Sequence, residues 1–205
     1  MTTDPVDGRR ERYAEGLARL LDPGEQLRAL AQAREGMGAG PADPQPPQPP
    51  ADGGGPGFLG VVLNVLGPII TFGRLDDAVT RLFFGVSGRG GPGSAASLLR
   101  HALTVGKVTD LRESVLAVTD KRLLLATTGR MTLTSGAAAD DRARSDLEVR
   151  FALPRAAVAG ARVGWYRLNP RRLRIDFTDG SWLAFTVPLG ESARPLREVA
   201  SALSG

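Results

Sequence analysis

The sequence predicts an α+β fold, mainly β: a small barrel or curled sandwich capped at one end by a helix. Three observations carry this. From Ser114 onward, apolar residues follow a period of two through six successive short runs. Leu196, Val199, Ala200 and Leu203 then repeat at helical spacing. A Pro/Gly-rich stretch from Gly36 to Gly57 sets an N-terminal piece apart from everything after it.

Taken in order, Arg9 to Leu21 places Tyr13, Leu17, Leu20 and Leu21 at helical spacing and ends at Asp22-Pro23-Gly24, a turn signal. Residues 1–24 are therefore expected to hold one amphipathic helix. Residues 25–35, EQLRALAQARE, read two ways: the residue types favour a helix, whereas Leu27, Ala29, Ala31 and Ala33 occupy the alternate positions of a strand. Between Gly36 and Gly57, 7 Gly and 7 Pro fall among 22 residues. Proline removes amide donors and glycine raises the entropy lost on ordering, so 36–57 is expected to be a disordered linker with polyproline II character. Phe58 to Gly73 is an uncharged run of 16 residues containing Asn64 and Pro68. It falls short of the ~20 apolar residues that a membrane-spanning helix needs. Leu75, Ala78, Val79, Leu82 and Phe83 follow an amphipathic helical pattern. After a Gly-rich break at Gly85–Gly93, Ser94 suits the N-cap of a helix carrying Leu98, Leu99, Ala102 and Leu103. Residues 58–113 thus read as a helical insertion.

The strands come next. VLAVTD (Val115–Asp120) and RLLLATT (Arg122–Thr128) are apolar runs about a tight polar turn, as in a hairpin. A polar Ala-Asp-Arg loop is expected after them. LEVRFAL alternates, with Leu147, Val149, Phe151 and Leu153 on one face, and Pro154 stops it. VAGARVGWYRL, LRIDF and SWLAFTV supply three more strands, with turns at Asn169-Pro170 and Asp179-Gly180. Pro195 is admissible in the closing helix because it falls in the first turn.

VLAVTDKRLLL, Val115 to Leu125, resembles the Thr-Asp/Asn-x-Arg hairpin of bacterial pleckstrin-homology-like (PH-like) domains, which have seven strands and a C-terminal helix. Leu153-Pro154 and Val158–Val163 match that family's apolar-Pro step and the twisted strand after it. Leu173–Val187 and Leu196–Leu203 match its last strand pair and its helix. The family's first strand follows a Gly-Glu step, and Gly24-Glu25 stands before QLRALAQA. The resemblance therefore makes 25–35 the first strand. It implies a PH-like seven-stranded curled barrel or sandwich with a C-terminal capping helix, built from residues 25–35 and 114–205. The linker and helical insertion then lie between strands 1 and 2. In eukaryotic relatives that connection often carries phosphoinositide-binding basic residues; here it has few charges and no basic cluster, so no binding residue is carried over.

Composition narrows the chemistry. The absence of Cys excludes disulfides, thiolate zinc sites, iron–sulfur clusters and cysteine nucleophiles. A single histidine, His101, cannot make a His-based metal cluster, and no carboxylate stands at a helical spacing that would orient it. Asp76-Asp77 and Asp140-Asp141 are adjacent pairs, whose members do not face one another. Two Gly-x-Gly-x-x-Gly matches occur: Gly55/Gly57/Gly60 emerges from the linker, and Gly88/Gly90/Gly93 lacks both a P-loop lysine and a following βαβ unit, so it reads as a turn. No catalytic, metal or cofactor residue is assigned, and no cofactor is expected. The net charge of +4 names no partner. Only Lys107 and Lys121 are lysines, a bias that reads as GC-rich bacterial coding. The start, MTTDPVDGRRERYAEG, has no apolar h-region, so a cytoplasmic protein is expected, free or membrane-associated.

Two surfaces remain. Arg150, Arg155, Arg162, Arg167, Arg171, Arg172 and Arg174 lie in a window with no acid, interleaved with Trp165 and Tyr166. Alternation sets Trp165 and Arg167 on one side of their strand, and Arg171 and Arg172 are placed in the turn after Asn169-Pro170. Trp165, Arg167, Arg171, Arg172 and Arg174 are thus the candidate set for an anion or lipid headgroup. The competing reading is a solvated strand face with Trp165 in the core. The apolar segment 58–86 must cover its own barrel, pair with another chain or enter a membrane interface. Leu75, Val79, Leu82 and Phe83 are its candidate self-association face. The expected function is a non-enzymatic binding or scaffolding module, acting on a protein partner or a second copy. The alternative is a peripheral membrane protein on anionic lipid; nucleic acid is not an expected partner.

Overall fold

Residues 5–35, 86–104, 112–131, 136–166, 169–187 and 192–205 are described by the structure, a computed structural model. The linker 36–57, the run Phe58–Gly73 and the face Leu75, Val79, Leu82 and Phe83 lie outside them. In chain order the elements are α1 (Pro5–Ala18), β1 (Leu27–Gln32), β2 (Arg34–Glu35), β3 (Gly88–Arg89), α2 (Ala95–Thr104), β4 (Ser114–Thr119), β5 (Arg122–Thr128), α3 (Ala137–Ser145), β6 (Leu147–Pro154), β7 (Val158–Tyr166), β8 (Asn169–Phe177), β9 (Trp182–Thr186) and α4 (Arg194–Ser204). They form two antiparallel sheets, ordered β1-β4-β5-β6 and β2-β9-β8-β7, with β3 also on β9. The sheets do not close into a barrel: among the described residues no ladder joins β6 to β7, which are linked by a single turn of 3-10 helix at Arg155–Ala157.

The apolar pattern explains both layers. Between the sheets, Leu116, Val118, Leu123 and Leu125 meet Leu173, Ile175, Leu183 and Phe185, and Leu196, Val199, Ala200 and Leu203 of α4 close one side of this core. The other face of the first sheet is covered by Tyr13 and Leu17 of α1, which pack on Leu30, Val115, Ala117, Leu124 and Ala126. Burial on both faces is why β4 and β5 read as continuous apolar runs and not as alternating ones. At about 25 cal/mol per Å² of apolar surface, each such leucine contributes on the order of 2 kcal/mol. α1 and α3 approach closely at Gly16, where a Cβ would stand 2.7 Å from the Ser145 carbonyl oxygen. No helix among the described residues is long and apolar enough to cross a membrane.

Three local expectations are corrected. The polar stretch after β5 contains a helix, α3, whose Arg144 donates to Glu113 Oε2 at 3.3 Å and to Asp141 Oδ1 at 3.4 Å. Within the Gly-rich break at Gly85–Gly93, read as a turn, Gly88–Arg89 form a short strand, β3, that pairs with β9. The single face read for β6 is split: Leu125 pairs with Phe151 but Ala126 pairs with Val149, so Arg150 is an extra residue in the strand. A bulge reverses which side the following residues face. Leu147 and Val149 therefore pack toward α1, while Phe151 and Leu153 enter the core between the sheets. A second bulge at Arg28 does the same in β1, sending Leu27 to the α1 side and Ala29, Ala31 and Ala33 inward.

Residues 25–35 form strand and not helix, and they serve both sheets: β1 pairs with β4, then β2 pairs with β9 two residues later. Each end of the segment is anchored by a glutamate. Glu25, whose side chain is fully buried, accepts from Arg122 Nε at 2.9 Å, Arg122 Nη2 at 2.7 Å and Thr119 Oγ1 at 2.6 Å. Thr119 Oγ1 in turn accepts the Lys121 and Arg122 amides, which shapes the β4–β5 turn. The Gly-Glu step and the Thr-x-x-Arg hairpin are thus joined by one ion pair whose carboxylate is buried. At the other end Glu35 accepts from Arg100 Nε at 2.6 Å and from the Ser87 hydroxyl at 3.0 Å.

The Ser87 contact exposes a feature of the topology. Arg34 and Glu35 lie opposite Thr186 and Phe185; Ser87 accepts the Ala184 amide at 2.8 Å; Gly88 and Arg89 lie opposite Leu183 and Trp182. β2 and β3 are therefore two pieces of one edge strand, with Ser87 taking up the register where Glu35 leaves it. A chain joining Glu35 directly to Ser87 is expected to fold, and to melt cooperatively with the strand-rich circular dichroism of the parent, because the joint restores a continuous strand.

The Glu25 ion pair gives a second expectation. The Arg122 hydrogen bonds hold this carboxyl at about 2, against an ordinary 4.5, in spite of burial acting in the opposite direction. A depressed folded-state value stabilises fully above the unfolded pKa and is lost as pH falls through the folded one. Glu25→Gln should cost about 2 kcal/mol near neutral pH, since it removes the charge-assisted hydrogen bonds that Arg122 gives to a buried carboxylate. In urea titrations the gap between wild type and variant should narrow from pH 4.5 downward.

Candidate functional site

The second sheet places its outward row by strict register. Inward, Val163 opposes Leu173, which opposes Phe185. Outward, Arg162 opposes Arg174, Gly164 opposes Arg172, and Asp176 opposes Trp182. Two arginines directly across a ladder repel each other. Asp176 relieves that repulsion, accepting from Arg174 Nε at 2.8 Å and lying 3.7 Å from Arg162 Nη1.

Above this row the aromatic and guanidinium groups stack. The Arg174 guanidinium lies 4.2 Å from the centre of the Trp182 ring. The Arg172 guanidinium lies 4.2 Å from the centre of Tyr166 and 5.4 Å from that of Trp182. Stacks of this kind are worth about 0.5–2 kcal/mol each and fix the rings in place. Arg172 is only 5% exposed, donates from Nη2 to the Val86 carbonyl, and has no hydrogen-bond acceptor at Nε or Nη1. Burial pulls its pKa down from the usual arginine range. Beside the stack Trp165 is 74% exposed and Tyr166 41% exposed. Arg162, Gly164, Trp165, Tyr166, Arg172, Arg174 and Trp182 line a recess of about 190 Å³.

The sequence-derived set is thus partly brought together. Trp165, Arg172 and Arg174 meet at the recess, and Arg171 is exposed on β8. Arg167 lies outside the described residues. The placement of Arg171 and Arg172 in a turn is corrected: Asn169-Pro170 opens β8, and Tyr166 already pairs with Asn169. Between that pair and Gly164–Arg172 the β8 side carries one residue more, a bulge where Pro170 has no amide to give the ladder. Trp165 is not in the core. Trp182 and Asp176 were missed: the bulge between Gly164 and Tyr166 shifts by one residue the register that the turn alone would set, so the Arg162–Arg174 pair that Asp176 bridges is not legible from the turn, and Trp182 comes from the next strand.

The other motifs are structural. At the Gly88/Gly90/Gly93 turn the first amides of α2 are taken internally. Ala95 donates to Asp179 Oδ2 at 2.8 Å and Ala96 to Ser181 Oγ at 3.1 Å, and Ser94 Oγ accepts from Ser97 at 3.3 Å as the expected cap. Gly90 is required because a Cβ would stand 2.3 Å from Ser94 Oγ. A phosphate has no free helix N-terminus here. His101 is exposed in the last turn of α2. Among the described residues no group of three His, Asp or Glu is placed to hold a metal ion.

The chain matches no family model, no curated protein sequence and no solved structure. Asp176→Asn should uncover the Arg162–Arg174 repulsion and cost about 1 kcal/mol, which for a chain of this size lowers the melting temperature by roughly 3 °C. Added salt should reduce that difference.

Proposed function

We propose that this chain is a non-enzymatic binding module built on a PH-like domain, and that it recognises a protein partner through the β7–β8 hairpin. Three features support the PH-like reading. With β1 and β2 counted as one bent strand, β4 to β9 bring the total to seven. The helix α4 packs on the open side of the core. The Gly24-Glu25 step and Thr119-x-x-Arg122 close on one another through the Glu25 carboxylate.

The observation that carries the binding reading is the exposure of Trp165, at 74%, beside a Tyr and three stacked or paired arginines. Tryptophan, tyrosine and arginine are the residues in which the binding energy of protein interfaces concentrates. An indole kept at the surface on a rigid support exposes apolar area at little cost in ordering entropy. Arg162 and Arg174 are committed to Asp176, and Arg174 to the Trp182 ring as well, which favours a protein over a diffuse anionic headgroup layer. The lipid reading draws on the same exposed indole, since Trp also seats at membrane interfaces.

Affinity capture from a bacterial lysate on immobilised full chain tests this. Trp165→Ala should remove the captured partner, costing about 2 kcal/mol or more of binding, with the melting temperature unchanged because the side chain buries little. Sedimentation with vesicles containing phosphatidylserine that is lost on Trp165→Ala, with no captured protein, would give the hairpin to a membrane instead.

A further inference from the structure

The recess beside Tyr166 contains donors that the fold leaves unused. Arg172 is 95% removed from solvent by its 5% exposure, yet Nε and Nη1 have no acceptor. A buried charge without hydrogen bonds is among the costlier arrangements in a protein. An arginine needed only to stack on Tyr166 could leave these groups in water. The one favourable polar neighbour of Arg172 in the recess is the neutral Tyr166 phenol; the lining holds the guanidinium groups of Arg162, Arg172 and Arg174 and no carboxylate. Asp176, the nearest acid in the outward row, is taken by Arg174 and Arg162.

The size and walls of the recess narrow the guest. About 190 Å³ lies below the range of roughly 300–1,000 Å³ typical of sites for whole small molecules, so one side chain fits and a large polyphosphorylated headgroup does not. The opposing wall is Gly164, where an added Cβ would meet nothing within 4 Å. The Tyr166 ring lies over the guanidinium at the end of its strand and is itself 41% exposed, so it is the part of the lining that can turn outward.

We propose that the recess receives an acidic side chain of the protein partner, whose carboxylate is hydrogen-bonded by Nε and Nη1 of Arg172 as the Tyr166 ring turns away; this rests on the hairpin being the recognition surface. Charge-assisted hydrogen bonds inside a recess of low dielectric are the strong ones, and they would give the interface specificity for acidic sequences. Trp165 then supplies apolar contact at the edge, and Arg172 selects for charge.

The test uses the full chain and the fluorescence of its two tryptophans, Trp165 and Trp182, titrated with a polyglutamate peptide, with polyglutamine as the neutral control. The expected result is a saturable change with polyglutamate alone. Arg172→Lys keeps the charge but loses Nε and Nη1, and should weaken binding at least about tenfold. Gly164→Leu fills the recess without removing a charged group; it should abolish the response at an unchanged melting temperature, which keeps the test valid if Arg172→Lys fails to fold. Tyr166→Ala removes the cover that must turn away and should bind more tightly than wild type. A response equal in wild type and Gly164→Leu would mean general charge attraction and overturn the proposal, as would no response in both wild type and Tyr166→Ala. A response to phosphatidylserine vesicles but not to polyglutamate would overturn it in favour of a membrane. Capture of a partner that depends on Trp165 but not on Gly164→Leu would leave the hairpin reading standing and this inference refuted.

Discussion

Two sheets that share one strand must have that strand held at both ends, and here a glutamate does the work at each. Glu25 fixes the start of the segment to the β4–β5 turn through Arg122 and Thr119, and Glu35 fixes its end to α2 and the start of β3 through Arg100 and Ser87. Between them the segment crosses from one sheet to the other, with Ala29, Ala31 and Ala33 facing inward where the sheets draw together. Small residues fit that corner because larger ones would push the sheets apart. Loss of either anchor would loosen the end of the segment that it holds, so the packing of the core depends on charges at its margin.

The two sheets are finished differently. The first is dressed on its outer face by α1, and its central strands are apolar throughout. The second carries an outward row of arginines, an aspartate and a tryptophan, in which like charges are set opposite each other and held by one carboxylate. A row arranged for stability alone would alternate signs across the ladder. The arrangement here stores unfavourable electrostatics beside exposed aromatic rings, the pairing expected where a surface is kept for a partner.

The β4–β5 hairpin was legible as two apolar runs about a polar turn, β7 to β9 as short runs separated by turn residues, and α4 from its helical spacing with Pro195 in the first turn. The misreadings have specific physical causes. The bulges at Arg28 and Arg150 leave the alternation of the letters intact while reversing the faces, so no period analysis of Leu147 to Leu153 could divide them between two cores. α3 is amphipathic only weakly and buries none of its side chains, so AAADDRARS read as loop. At the candidate site Trp165 and Arg174 were identified from composition. The stacking partner Trp182 was not, because it comes from the next strand and only the ladder register brings it alongside.

The end-to-end alignment of β2 and β3 also determines how the body would respond to load. A pull transmitted through the chain between Glu35 and Ser87 acts at the midpoint of the strand that lies along β9, not at its tips. It would strip the short β2 and β3 pairings outward from that midpoint, one hydrogen bond at a time, in the manner of peeling tape. A strand pulled from its two tips would resist in shear, with all of its bonds loaded together. The Glu35–Ser87–Arg100 cluster sits at the point where peeling would begin, and the Val86 carbonyl held by Arg172 lies one residue away, so tension there would be felt at the aromatic recess.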